Sequence, residues 1–196
     1  MTHVATTTAA ANDFDKSRFG FWLYLMTDCV LFASLFATYA VLRGGTADGP
    51  GPRQLFAIDF VFIETVVLLL SSLTCGIAVM AARLSNRKLA TIMLGLTALL
   101  GLMFIGLELY EFGELLHDGF GWTQSAFLSA YFTLVGTHGL HIIVGLLWLG
   151  VLLPTLLRRG LTPIITKRLQ LFSLYWHFLD VIWVFIFTLV YLLGVV

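Results

Sequence analysis

Apolar residues along this chain neither alternate with polar ones nor mark one helical stripe. They come in five long runs separated by short polar breaks. The runs extend from about Phe19 to Leu42, Ile58 to Ala82, Leu89 to Phe112, Gln124 to Leu153 and Leu169 to Leu193. Each can cross ~30 Å of hydrocarbon as a helix rising ~1.5 Å per residue. Within lipid a spanning segment must satisfy its own backbone polar groups, so the pattern predicts an all-α fold, a five-transmembrane-helix bundle. The breaks carry turn chemistry: Gly44, Gly45, Gly49, Pro50, Gly51 and Pro52 after the first run, and Gly119 and Gly121 before Trp122. Pro154 and Pro163 are expected to bracket the loop between the fourth and fifth runs. No connection is long enough for a globular domain, so residues 19–196 read as one membrane domain. Residues 1–18, rich in Thr and Ala, read as a disordered tail. That tail lacks the features of a secretory leader, and the first span is expected to stay in the mature chain.

Composition confirms the solvent. The chain is 59% hydrophobic and only 11% charged, with a mean hydropathy of +0.95, whereas soluble domains are about 25% charged. Net charge is zero, yet its distribution is lopsided. Lys16, Arg18, Arg83, Arg87, Lys88, Arg158, Arg159, Lys167 and Arg168 fall on one side of the membrane, and only Arg43 and Arg53 on the other. Positive-inside bias therefore predicts a cytoplasmic N-terminus and an outer, periplasmic C-terminus. No nucleic-acid partner is expected. Cys29 and Cys75 lie within runs without metal-type spacing and read as packing residues. Trp122 and Tyr110 suit an outer aromatic belt, and Trp22 and Trp148 an inner one. Small residues, Gly95, Gly101 and Gly106 on the third run and Gly136, Gly139 and Gly145 on the fourth, predict close helix approach.

Against this apolar background a few ionisable residues stand out. Glu108 and Glu111, His138 and His141, and His177 and Asp180 are pairs three residues apart, a spacing that keeps both side chains on one helix face. Asp28 and Glu64 add single acids to the first and second runs. Such groups at membrane depth survive by facing protein and finding partners, which makes them functional or assembly sites by default. Counted from the cytoplasmic ends, Asp28, His177 and Asp180 lie in the inner half, His138 and His141 near the middle, and Glu64, Glu108 and Glu111 toward the outside. The inner group can satisfy itself through Asp to His hydrogen bonds. The outer group is all carboxylate and needs protonation, a hydroxyl, a lipid headgroup or water, because clustered carboxylates resist joint ionisation.

Three chemistries are open to these residues. A di-iron bundle needs Glu-x-x-His on two helices and Glu on two others, and the pairs here are Glu/Glu, His/His and His/Asp. A relay through His177, Asp180 and Asp28 would serve a free-standing proton or ion transporter but needs a path to both sides. The third reading, and the preferred one, is a static interhelical network that fixes the packing and docks a neighbouring subunit. The chain carries no P-loop, nucleophile elbow, haem-attachment motif or dinucleotide fingerprint. No catalytic, cofactor-binding or metal residue is assigned. The basic loop residues Arg158, Arg159, Lys167 and Arg168 are candidate contacts for anionic lipid headgroups.

The stretches Tyr175-Trp176-His177-Phe178-Leu179-Asp180-Val181-Ile182-Trp183, Gly136-Thr137-His138-Gly139-Leu140-His141 and Glu108-Leu109-Tyr110-Glu111 resemble the signature segments of subunit III of haem-copper terminal oxidases. Gly20-Phe21-Trp22-Leu23-Tyr24-Leu25-Met26-Thr27-Asp28-Cys29, Phe62-Ile63-Glu64-Thr65 and the Ser71-Ser72 pair are similar, more narrowly, to the third subunit of bacterial cytochrome o ubiquinol oxidases. The mitochondrial type has seven spans, so five imply the short bacterial form; some bacterial cytochrome c oxidases also have short third subunits.

The resemblance implies a non-catalytic subunit in the bacterial inner membrane, packed beside subunit I with subunits II and IV as further partners. It implies that haem and copper reside in subunit I, that ubiquinol is the substrate of the complex, and that this chain binds no cofactor but holds phospholipid. The implied complex oxidises ubiquinol, reduces dioxygen to water and pumps protons; subunit III would stabilise it and support proton uptake.

Overall fold

A computed structural model describes residues 2–47 and 58–195. The turn residues Gly49, Pro50, Gly51 and Pro52, together with Arg53 and the terminal Val196, lie outside the described residues. Five helices carry the chain: α1 (Thr2–Leu42), α2 (Ile58–Arg83), α3 (Arg87–His117), α4 (Ala126–Arg159) and α5 (Pro163–Ile186). The last continues through a π-helical turn, Phe187–Leu192, into Leu193–Val195. All five contain stretches long and apolar enough to cross a membrane, and no strand occurs among the described residues.

The helices overrun the apolar runs. In α1 the spanning part begins at Lys16, but the helix itself reaches back to Thr2, through residues that composition reads as a disordered tail. Once a span has nucleated a helix, each added residue gains a hydrogen bond for one residue fixed, so an Ala- and Thr-rich flank propagates it. Pro154 does not open the loop, as expected from the sequence, but sits inside α4, which runs on to Arg159. A proline inside a membrane helix is tolerated because neighbouring groups can re-satisfy the freed carbonyl. The connection to α5 is thereby reduced to Gly160, Leu161 and Thr162.

Side-chain caps hold the helix starts. The side-chain oxygens of Asn86, Ser125 and Thr162 accept the backbone N–H of Leu89, Leu128 and Ile165 at 3.1, 3.1 and 3.3 Å. Pro163 follows Thr162 at the first helical position, where its missing N–H costs nothing. Gly160 ends α4 at φ 70°, a conformation that favours glycine. The guanidinium of Arg87 donates to the Leu157 carbonyl and ties the α2–α3 turn to the end of α4.

Helices α2, α3, α4 and α5 close a ring in that order, α5 returning to α2, and α1 lies outside it against α4 and α5. Of the most apolar stretch of α1 22% is buried, against 56% for α2 and 50% for α5. The ring is filled by aromatic side chains, and Trp176 of α5 is its centre. Its indole lies between two glycines: a Cβ added at Gly101 of α3 would come within 3.0 Å of the ring, and one at Gly145 of α4 within 2.8 Å. These two positions allow the close approach that small residues offer membrane helices. Gly95 and Gly106 have nothing within 4 Å, so not every small residue predicted for contact makes one. Trp148 is not free for an interfacial belt. It packs half-buried among Phe21, Phe172 and Tyr175, with ring centroids 5.9, 5.7 and 6.0 Å away. Trp22, Tyr110 and Trp122 are exposed.

Candidate functional site

The polar residues collect in three places, each at a seam between helices. Along the α2–α5 seam, hydroxyls of α2 receive the donors of α5. Trp176 Nε1 donates to Ser71 Oγ and Trp183 Nε1 to Thr65 Oγ1, both at 3.0 Å. Ser71 Oγ in turn donates to the Thr97 carbonyl of α3 at 3.2 Å, and the Thr74 and Thr97 hydroxyls meet at 2.8 Å. His177 Nδ1 lies 2.5 Å from Ser72 Oγ and 3.8 Å from Asp180 Oδ2. Both oxygens of Asp180 are buried without a hydrogen-bond partner. The contact between His177 and Asp180 is thus an approach across one helical turn, longer than a hydrogen bond.

The second place is the α1–α4 seam. Asp28 Oδ2 lies 3.8 Å from His141 Nε2, while His141 Nδ1 sits 2.7 Å from the carbonyl of Thr137 on its own helix. Tyr175 Oη donates to the His141 carbonyl at 2.8 Å, linking α5 to the same spot. His138, one turn away, points into the ring. Its imidazole stacks on Trp183 with centroids 5.2 Å apart and is edged by Phe104 and Phe32. Neither of its nitrogens has a hydrogen-bond partner.

The third place is the carboxylate layer at the end away from the basic loops. Glu64 of α2 is fully buried in this layer, to which α3 contributes Glu108 and Glu111. Glu111 Oε2 accepts from Tyr191 Oη at 3.0 Å, and Tyr191 and Tyr131 join their hydroxyls at 2.9 Å. Tyr191 stands in the π-helical turn, whose Val190 carbonyl also accepts from Tyr39 Oη of α1 at 3.4 Å. Such a turn re-aims side chains within a helix and often marks a functional position. Glu108 is pressed against Gly139 of α4, where an added Cβ would lie 2.5 Å from its carboxylate. It lines a groove of about 150 Å³ between α3 and α4. Both carboxyl groups, of Glu64 and Glu108, lack hydrogen-bond partners.

The expected inner group of Asp28, His177 and Asp180 is therefore divided: Asp28 pairs with His141, and Asp180 with His177. Of the expected outer layer, Glu111 is tied to Tyr191 and Glu108 lies against Gly139, while Glu64 is buried without a hydrogen-bond partner. At the basic end, Arg158, Arg159 and Arg168 are exposed and Lys167 is half-buried. Beside them opens a cleft of about 170 Å³ lined by Arg18, Trp22, Arg83, Gln170, Leu171 and Leu174. Among the described residues no three histidine, cysteine or carboxylate side chains gather as a metal site.

Sequence reasoning misses the hydroxyl partners. Thr74, Thr97, Tyr131 and Tyr191 carry no signal beyond being polar within apolar runs. Thr65 and the Ser71-Ser72 pair stand out only through resemblance. One clue is available: tryptophan N–H groups inside a span, at Trp176 and Trp183, need acceptors from another helix.

A ring of four spanning helices with a fifth at its side, tied by hydroxyl, indole and imidazole contacts across its seams, defines a polytopic helical membrane protein. Within that class the sequence points to one family. The chain belongs to the cytochrome c oxidase subunit III family, whose model matches residues 5–195. It is 50% identical over 199 residues to the cytochrome bo(3) ubiquinol oxidase subunit 3 of Pseudomonas aeruginosa, covering 98% of this chain and 95% of that protein. The subunit of the same name from Buchnera aphidicola subsp. Baizongia pistaciae is 44% identical over 185 residues, 94% of this chain and 95% of the relative. The cytochrome c oxidase subunit 3 of Bacillus sp. strain PS3 is 50% identical over 182 residues, 92% of this chain and 88% of the relative.

Proposed function

We propose that this chain is the non-catalytic third subunit of a proton-pumping ubiquinol oxidase in a bacterial inner membrane. The complex oxidises ubiquinol, reduces dioxygen to water and feeds aerobic respiration. Haem and copper belong to subunit I, beside which this chain packs, with subunits II and IV completing the assembly. The observation that carries the reading is 50% identity to a cytochrome bo(3) ubiquinol oxidase subunit 3 over 98% of the chain. The geometry supports it, because the polar side chains of the spans serve as ties between helices, as in Trp176 to Ser71 and Tyr191 to Glu111.

In this role Asp28, Glu64, Glu108, Glu111, His138, His141 and Asp180, together with the half-exposed His177, form the polar network that orients the helices. The N-terminus faces the cytoplasm and the C-terminus the periplasm, an orientation supported by nine basic residues against two. Proton uptake is supported from the cytoplasmic end, where the basic loops also collect phospholipid headgroups. The experiment is gentle purification through a tag on this chain, followed by a visible spectrum. Haem bands with larger co-purifying subunits and ubiquinol oxidation are the expected result; a colourless lone chain would refute the proposal. A second reading, subunit III of a cytochrome c oxidase, is favoured by the 50% identity to the Bacillus sp. strain PS3 protein. The electron donor of the purified complex, ubiquinol or reduced cytochrome c, separates the two.

A further inference from the structure

A half-exposed imidazole sits on the outer face of the ring, inside the membrane. The His177 side chain is 45% exposed. It lies nine residues from Arg168, and Gly76 beside it lies seven from Arg83, which puts both roughly 10–14 Å in from the basic boundary. At that depth the surroundings of an unassembled bundle are acyl chains, which offer no hydrogen-bond acceptor. The inner edge of the ring is already engaged, Nδ1 with Ser72 at 2.5 Å and near Asp180. The other edge is open: Nε2 lies over Gly76, where an added Cβ would be 3.9 Å away and where glycine supplies no cover. Around it α2 presents Leu69, Leu73 and Met80, and α5 presents Val181 and Val184, all large, apolar and exposed. The opposite α3–α4 face exposes Leu102, Leu147 and Val151, and its carboxylate, Glu108, is buried instead.

We propose that the α2–α5 face is the surface by which this chain docks on a transmembrane helix of a partner oxidase subunit, with His177 Nε2 donating to an acceptor on that helix. The proposal rests on the reading of the chain as an oxidase subunit. In the tautomer in which the Ser72 hydroxyl donates to Nδ1, the imidazole proton sits on Nε2, the edge away from Ser72. The partner's group is a side-chain carboxylate, hydroxyl or amide, or a backbone carbonyl freed by a helix irregularity. Gly76 lets that helix approach closely, and the flanking leucine, methionine and valine side chains supply the packing that drives association where no hydrophobic effect operates. An ionisable group at this depth is otherwise costly, which is why it faces protein.

The test uses the intact oxidase in native membranes. A photo-crosslinking phenylalanine analogue is placed singly at Leu73 or Val181, and at Leu102 or Leu147 on the opposite face. Crosslinks to a larger subunit from the first pair and none from the second are expected. Crosslinks from the α3–α4 face alone, or adducts from Leu73 and Val181 to lipid or quinone alone, would overturn the docking surface while leaving the oxidase reading intact. Absence of any co-purifying subunit would sink that reading as well. A second arm compares His177→Leu with His177→Gln, whose amide nitrogen can stand near the place of Nε2. One interhelical hydrogen bond corresponds to about a three- to twentyfold loss of association. His177→Leu should weaken subunit retention by that factor and His177→Gln should restore most of it, at equal amounts of chain in the membrane. Equal retention of wild type and His177→Leu would count against the proposal.

Discussion

The substitution Gly145→Ala tests the packing of the ring most sharply. A methyl group at position 145 would meet Trp176 Cζ3 at 2.8 Å and Tyr175 Cε1 at 3.1 Å. The indole has little room to retreat, because it also packs against Gly101 of α3, where a Cβ would stand only 3.0 Å from it, and Trp176 Nε1 is held by Ser71 Oγ at 3.0 Å. Either α4 moves away from α5 or the Ser71 bond is lost. Overpacking of this kind costs about 1–3 kcal/mol, or roughly 5- to 150-fold in the folded population. Gly95→Ala is the control, since nothing lies within 4 Å of a Cβ there. A helix-interior Gly to Ala change should stabilise by about 0.5–1 kcal/mol where space is free, so the two substitutions differ in sign. Pairing Gly145→Ala with Trp176→Phe shortens the ring that the methyl strikes and should recover part of the loss. The assay is heat or denaturant resistance of the purified complex in detergent, read as the fraction of this chain still bound and helical. Equal tolerance of both alanines, or a double change no better than the sum of its singles, would refute the clamp.

Three further outcomes follow from the same geometry. Thr65→Val keeps the shape of α2 but removes the acceptor of Trp183 Nε1; a buried donor left unmade should cost about 1–3 kcal/mol in that same resistance assay, and a neutral result would mean the indole finds another acceptor. For His177 and Asp180, 3.8 Å apart, a static role predicts that His177→Leu combined with Asp180→Leu is milder for bundle stability than His177→Leu alone, which leaves the carboxylate without its partner; full stability with proton pumping abolished in both singles and the double would instead make them a relay. Cysteine labelling at Arg87 and Arg159 should report the cytoplasm and at Gly119 the outside, and native mass spectrometry should find anionic phospholipid on the complex, lost in part when Arg18 and Arg83 become glutamine; reversed labels would invert the bundle, and unchanged lipid would assign the headgroup to Arg158, Arg159, Lys167 and Arg168.

The network explains why polar residues are kept where apolar ones would suit lipid better. Indole, hydroxyl and imidazole groups have fixed geometry, and a pair such as Trp176 and Ser71 is made at only one rotation of α5 against α2. Leucine against leucine allows many rotations. In a bundle whose outside is also leucine, such ties select one arrangement among several of similar packing energy.

What the sequence alone determined is the part that depends on distance along the membrane normal. Bilayer thickness and the exclusion of unsatisfied backbone make span number, span length and charged ends readable from one dimension, and depth follows from counting. The shared depth of Glu64, Glu108 and Glu111, toward the end away from the basic loops, was legible for that reason. Rotation about each helix axis was not, because spans apolar on every side carry little record of which side meets a neighbour. That Asp28 finds His141 rather than His177 depends on α1 lying outside the ring against α4 and α5, a contact between residues more than a hundred positions apart. The roles of individual glycines depend on the same thing: Gly101 and Gly145 seat Trp176 while Gly95 and Gly106 face open space. The π-helical turn that aims Tyr191 at Glu111 has no mark in the local sequence either, since it is stabilised by what its residues reach across the bundle. Tertiary structure decides these because lipid solvates every helix face alike, leaving specific contacts between helices to choose the side that turns inward.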